Sequence, residues 1–349
     1  MTLAALLLAA IAGGCIETTT VYEEFGSARL LYKIKDAGNR VQFSPDGKLL
    51  LTTFADTRSF NESKKYPPRI WQASDGNHLR DLEIDERNPS LHESFLVGAF
   101  HPDGSVIARG WFSNQGLPIQ HILVRWNPLT GAELDRTNLS SGSYGGLTIS
   151  PDGETITLLE AKSDIIYVFD GGNMRRGITI ETPGVYGASS EYNLSWSPDS
   201  RWLMAADDFM IDMQAEPPEV RPFAWRTRHA VFVGNNHLLL GGNSYLTLVD
   251  RNNPIDLGSI PDGSGTKITA IAVSPDYTLF ASASDESGFI DGRDFSPVTI
   301  NRISDGATIT VLNLPQHTVT QMSFDPTSSI LAIADERGEV RLYEITLNN

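Results

Sequence analysis

Along most of the chain, apolar and polar residues alternate with a period of two in short runs broken by tight turns. The alternation is densest in one recurring phrase: VQFSPDGKLLL (41–51), GAFHPDGSVIA (98–108), LTISPDGETIT (147–157), LSWSPDSRWLM (194–204), IAVSPDYTLFA (271–281) and MSFDPTSSILA (322–332). A seventh copy, VFVGNNHLLLG (231–241), puts Asn235 and Asn236 in the Pro-Asp position. Proline presets φ at the turn, and Asp followed by Gly or Asn completes it. Flanking Val, Ile, Leu and Phe alternate as strands do, so each copy predicts a β-hairpin. The anchors Pro45, Pro102, Pro151, Pro198, Asn235, Pro275 and Pro326 recur every 37 to 57 residues. That spacing fits a four-stranded propeller blade rather than a helical solenoid. Nothing in the body keeps a 3.6-residue apolar period.

The rest of each unit agrees. Third strands are predicted at PRIWQ (68–72), ILVRWN (122–127), IIYVFD (165–170), YLTLVD (245–250) and VRLYEI (340–345). A further turn follows at a fixed offset, from Trp71 to Gly76, Trp126 to Gly131 and Asn301 to Gly306. Fourth strands include HLRDLEI (78–84) and ATITVLNL (307–314). The last unit holds only three strands, and ARLLYKIK (28–35) has strand character ahead of the first. Placing 28–35 as the outer strand of the last sheet removes an open edge. The expected fold is all-β: one domain over 28–349, a seven-bladed β-propeller of four-stranded antiparallel blades, closed by the N-terminal strand completing the last blade.

This pattern resembles the WD-repeat propellers and, more loosely, the TolB-type propellers, over about residues 28–347. The unit over 317–345 is the closest match, with His317, Asp335 and Tyr343 in the family's His, Asp and Trp slots. The resemblance implies that Asp335 hydrogen-bonds His317 and ties the blade. Asp285 and Asp207 occupy the same slot in blades 6 and 4. No WD dipeptide occurs; WQ, WN, FD, VD and YE stand in its place, as in a divergent member.

Ahead of the repeats, Leu3 to Ala12 read LAALLLAAIA. Spanning a bilayer takes about 20 apolar residues, so this run suits an export signal instead. Small residues follow, then Cys15, the single cysteine. IAGGC resembles the lipobox of bacterial lipoproteins. That resemblance implies cleavage after residue 14, acylation of Cys15, and a lipid-anchored tether over 15–27. A plain cleaved signal with an incidental cysteine is the competing reading. Fully extended, the tether reaches about 45 Å at most, so the body would stay near the bilayer. Ile16, where Asp would favour the inner membrane, favours the outer membrane of the cell envelope.

Charge and composition narrow the chemistry. Lys and Arg number 27 against 43 Asp and Glu, a net charge of −16. That argues against nucleic acid as a partner. One cysteine excludes an internal disulfide framework and a multi-thiolate zinc site. The enzyme motifs fail in turn. HESFL (92–96) has Leu96 where a zinc-protease motif needs its second His. PDGSGTK (261–267) lacks phosphate-loop spacing, and its Ser264 and Lys267 have no helix to aim one at the other. No Gly-x-Ser-x-Gly elbow occurs, and the acidic run 285–294 does not match a calcium loop. No catalytic residue, cofactor or metal is expected.

Loop length carries more. Extra residues lie between the second and third strands of blades 1, 2 and 6, at 56–69, 113–120 and 285–297. In propellers of this type such loops share a face, and blades 6, 7, 1 and 2 would line one arc. The candidate partner-binding residues are Arg58, Phe60, Lys64, Lys65 and Tyr66 in blade 1, Trp111 in blade 2, and Phe289, Asp291, Arg293 and Phe295 in blade 6. Aromatic groups beside mixed charge are what binding surfaces favour. The expected function is a non-catalytic, monomeric, lipid-anchored propeller that binds another protein. A small-molecule or glycan binder, or a propeller enzyme using the central channel, is the alternative.

Overall fold

The structure, a computed structural model, describes all residues except 1–6, 10–17, 22–25, 55–65, 85–91, 114–117, 141–143, 161–164, 183–193, 206–208, 224–226, 228, 243–244, 253–255, 261–266, 286–287, 291–292, 316 and 349. Every regular element among the described residues is a strand. Three precede the first repeat: β1 (Leu7–Ala9), β2 (Thr18–Val21) and β3 (Gly26–Ile34). Blade 1 is β4 (Arg40–Phe43), β5 (Leu49–Thr53), β6 (Arg69–Gln72) and β7 (His78–Asp81). Blade 2 is β8 (His92–Phe100), β9 (Val106–Ser113), β10 (Gln120–Trp126) and β11 (Glu133–Leu139). Blade 3 is β12 (Tyr144–Ile149), β13 (Thr155–Glu160), β14 (Ile165–Asp170) and β15 (Arg176–Glu181). Blade 4 is β16 (Leu194–Trp196), β17 (Trp202–Ala205), β18 (Phe209–Asp212) and β19 (Glu219–Pro222). Blade 5 is β20 (His229–Val233), β21 (His237–Gly241), β22 (Leu246–Asp250) and β23 (Asp256–Ile260). Blade 6 is β24 (Ile268–Val273), β25 (Leu279–Ser284), β26 (Gly288–Ile290), β27 (Arg293–Arg302) and β28 (Thr308–Pro315). Blade 7 is β29 (Val319–Phe324), β30 (Ile330–Asp335) and β31 (Val340–Leu347).

Sequential strands are neighbours within each sheet. The last sheet is completed by β3, which pairs antiparallel with β31 from Gly26 opposite Leu347 to Ile34 opposite Val340. The N-terminal strand therefore closes blade 7, as the repeat count predicts. Two features exceed the expected scheme. The long loop of blade 6 is itself a hairpin, with β26 pairing β27 from Gly288–Phe295 to Ile290–Arg293. The segment expected as a tether contributes β2, which pairs antiparallel with β28 from Thr18–Asn313 to Val21–Thr310. β1 pairs β2 in turn.

The recurring turn is built by its own side chains. Ser44 N–H donates to Leu49 O at 2.9 Å and Gly47 N–H to Ser44 O at 2.9 Å. Ser44 Oγ donates to Asp46 Oδ1 at 2.7 Å and accepts Leu49 N–H at 2.9 Å. Ser150 with Asp152, Ser197 with Asp199 and Ser274 with Asp276 repeat the Ser–Asp bond at 2.5, 2.5 and 2.6 Å. The fourth residue of the turn, after the Asp or after Thr327 in blade 7, needs a left-handed backbone. Gly47, Gly104 and Gly153 supply it at φ 72°, 86° and 77°; Ser200, Tyr277 and Ser328 adopt it at 58°, 59° and 62°. Glycine carries no Cβ penalty there, and the other three do.

The chain divides into two compact units, residues 1–41 with 236–349, and residues 42–235. In the unit 42–235, apolar layers fill the spaces between successive blades. Leu51, Phe95 and Ile122 share one layer, Ile107, Leu158 and Phe169 a second, and Ile166, Ile180 and Leu203 a third. In the other unit Ala281, Ile300, Leu312, Leu331 and Tyr343 share a layer. A strand inside a blade is covered on both faces, so β17 and β25 are buried at every position. An outer strand is covered less, and β15 is exposed at all but Ile180.

Candidate functional site

Arg58, Phe60, Lys64, Lys65, Asp291, Cys15 and Asp207 lie outside the described residues. Phe289, Arg293 and Phe295 sit on the β26–β27 hairpin, with Phe295 opposite both Gly288 and Pro315. Tyr66 is engaged structurally: its carbonyl accepts Phe95 N–H at 3.0 Å, and its ring stacks on Phe54 at 5.1 Å. Trp111 is a correction. It is 8% exposed, because β9 lies within the sheet between β8 and β10 and is covered on both faces.

The expected blade tie also needs correcting. Asp335 is fully buried in the expected slot. Its Oδ1 accepts the N–H groups of Arg337 and Glu339, each at 3.0 Å, and its Oδ2 accepts Arg341 Nη1 at 2.9 Å. His317 Nδ1 has no hydrogen-bond partner. A buried guanidinium on the neighbouring third strand therefore holds the carboxylate in place of the imidazole. Arg341 Nη2 also reaches Glu339 at 2.7 Å. Tyr343 is buried in the adjoining layer. In blade 6, Asp285 Oδ1 accepts the backbone N–H of Lys267 at 2.8 Å, closing one end of the sheet without an imidazole.

A polar cluster joins blades 2 and 3. Arg125, nearly buried on β10, donates Nε to Ser105 Oγ at 2.8 Å and Nη1 to the carbonyls of Gly171 and Gly172 at 3.1 and 2.9 Å. Its Nη2 is paired with Asp103. His101 takes the turn's Ser position; its Nδ1 lies 3.2 Å from the N–H of Asp103 and its Nε2 2.9 Å from Gly153 O. Gly153 O can only accept, so Nε2 carries a proton and gives it to that carbonyl, while Nδ1 also lies 2.8 Å from Asp103 Oδ1. Further bonds join neighbouring turns. Asp152 N–H donates to Ser200 Oγ at 3.0 Å, Asp199 N–H to Asn235 Oδ1 at 3.0 Å, and Asp276 N–H to Ser328 Oγ at 3.3 Å. These residues pin one blade to the next.

Electrostatics says the same. Burial opposes ionisation of Asp103, but hydrogen bonds from Ser105 and His101 outweigh it and hold the carboxyl far below the ordinary range. Asp152 and Asp276 follow that pattern, with bonds from Ser150 and Ser274 prevailing over burial. The Ser44 hydroxyl lowers Asp46, and the Arg201 guanidinium lowers Asp212. Burial and the nearby Arg109 charge lower His121. The carboxyls displaced from their ordinary acidity among the described residues, Asp46, Asp103, Asp152, Asp212, Glu219 and Asp276, are each shifted down. No group of three His, Cys, Asp or Glu gathers with metal-binding geometry among the described residues.

These features define the class: a seven-bladed β-propeller of Ser-Pro-Asp hairpin repeats, whose polar residues fasten blade to blade. A family of repeats matches within it. The WD domain, G-beta repeat (WD40) family model matches residues 257–289. That stretch covers most of β23, the outer strand of blade 5, then β24 and β25 of blade 6. The matched repeat thus straddles two sheets, and lies one blade before the unit over 317–345. No curated protein matches the chain.

Sequence reading missed Arg125 and Arg341, because an arginine inside a strand looks like a solvated edge until its neighbours are known. It also missed the exposed Ile178 (48%), whose signal is the alternation of Ile178 and Ile180 on an outer strand.

Proposed function

We propose that the chain is a non-catalytic protein-binding scaffold, held at the bacterial cell envelope by lipid on Cys15, in the outer membrane rather than the inner. The observation that carries the non-catalytic part is the fate of the polar groups. The described carboxylates with displaced acidity, Asp46, Asp103, Asp152, Asp212, Glu219 and Asp276, are all spent on turns or on ion pairs. Nothing among them is left poised for proton transfer. The anchoring part is supported by IAGGC and by the apolar run ahead of it. The binding part is supported by the longer loops at 56–69, 113–120 and 285–297, where Lys64, Lys65 and Arg293 stand among aromatic residues.

Two variants test these parts separately. Cys15→Ser is expected to abolish incorporation of a radiolabelled fatty acid and release the chain from the membrane fraction. Retained label would refute the anchor. Lys64→Glu with Lys65→Glu is expected to remove specific neighbours from a proximity-labelling profile in the native cell, at unchanged abundance. A profile identical to wild type would refute this loop as the binding surface.

A further inference from the structure

The apolar layer between blades 3 and 4 reaches the rim without a cover. Ile180 on β15 is 5% exposed and packs in that layer, with Met213 and Val220 against it. Two residues earlier on the same strand, Ile178 is 48% exposed and lines the same groove as Ile180. That open groove, of about 590 Å³, runs between β15 and residues 213–220, with Pro217 and Pro218 along the far wall. The charged side chains that line it are Glu181 and Glu216. β15 is the last strand of its sheet among the described residues, and alternate backbone N–H and C=O groups of such an edge point outward.

The molecule shows what its outer strands accept. On blade 6, β28 holds the place that β15 holds on blade 3, and there β2 adds as a further antiparallel strand. We infer that the β15 edge and its groove bind an extended peptide segment of a partner protein, with alternating apolar side chains seated against Ile178 and Met213 and a Lys or Arg facing Glu181 or Glu216. Strand addition satisfies the edge groups, while alternate side chains read the groove. A helix laid in the groove would bury its apolar face but leave those edge groups unsatisfied. Two carboxylates with no cation among the lining residues select a basic segment and repel nucleic acid. This inference rests on the scaffold reading but on a different surface, and it needs no lipid anchor.

Short random peptides displayed on phage are panned against the full chain, with the Ile178→Arg variant as counter-target. Enriched peptides are then measured by fluorescence anisotropy. The expected consensus alternates apolar residues and carries Lys or Arg. Ile178→Arg and, separately, Glu181→Lys with Glu216→Lys are each expected to weaken binding at least about tenfold. Ile178 is exposed, so the thermal midpoint of its variant should match wild type; the paired glutamate variant gives an independent reading if it does not. No peptide whose binding depends on Ile178 overturns the inference, as does an acidic or helical consensus. Self-association of the wild type, abolished by Ile178→Arg, would assign the groove to a second copy instead. Neither outcome bears on Cys15 or Lys64.

Discussion

Ser200 Oγ accepts the backbone N–H of Asp152 at 3.0 Å while Ser200 itself holds a left-handed backbone, φ 58°. The same pairing recurs where Ser328, at φ 62°, accepts Asp276 N–H at 3.3 Å. Glycine would occupy either position with less strain, but it has no hydroxyl. The serine gives up backbone ease to reach the next blade. Replacing Ser200 with Ala keeps the strain and loses the bond, so a cost of about 1 kcal/mol is expected. Ser200→Gly loses the same bond but relieves strain of about 1 kcal/mol, so it should fall near wild type. Urea denaturation of the two variants checks the order.

Asp335 and Arg341 form a buried pair whose halves are unequal to lose alone. Asp335→Ala leaves the Arg341 guanidinium, 3% exposed, with one carboxylate fewer. Removing one partner of a buried pair costs about 3–5 kcal/mol. Asp335→Ala with Arg341→Met should cost clearly less than the sum of the single changes. His317→Ala should cost little, because His317 does not hold the aspartate. A double-mutant cycle on thermal midpoints tests all three statements.

The turn aspartates make stability depend on acid. Asp46, Asp103, Asp152, Asp212 and Asp276 are each held below the ordinary carboxyl value of 3.8. A group with a depressed folded value contributes fully above its unfolded value, and that contribution is lost as pH falls through the folded one. The urea midpoint should therefore be flat from neutral pH down to about 5 as far as these groups are concerned, then fall steeply below about 4. Asp152→Asn with Asp276→Asn should make the acid limb shallower.

Gly171 gives a sharper steric test. A Cβ there would stand 1.8 Å from Gly153 O, which is backbone and cannot step aside alone. The Gly171 carbonyl also receives Arg125 Nη1. Gly171→Ala should destabilise by about 3 kcal/mol or more, through overpacking at the blade 2–3 junction. At Gly172 the nearest atom to an added Cβ is the Asp170 side chain, at 3.3 Å. Gly172→Ala should be much milder, and differential scanning calorimetry of the pair decides it.

Much of this architecture is legible in the chain because the hairpin is a local object. Ser44, Pro45, Asp46 and Gly47 carry the turn, and Leu49 to Thr53 carry the strand, within a dozen residues. The closure by β3 is legible by counting, since one sheet is short of a strand and one strand lacks a sheet. The partner of Asp335 is not legible. His317 and Arg341 both lie within reach along the sequence, and only packing decides which side chain is buried beside the carboxylate. Trp111 misleads for a related reason: an aromatic residue beside a long loop looks exposed until the strands on both sides of β9 are in place. The docking of Thr18–Val21 on β28 is invisible because strand addition uses backbone groups, which leave no mark on side-chain pattern.

The pairing of Gly26–Ile34 with Val340–Leu347 joins residues more than 300 positions apart. Such contacts form late, since the intervening chain must be ordered before they repay the entropy of bringing them together. A ribosome making this protein releases β3 more than 300 residues ahead of its partner, so the early strand must wait unpaired while the other sheets emerge. Blade 7 is thus the step that no incomplete chain can take, and a product broken off before Val340 would display an orphan strand for quality-control factors to seize.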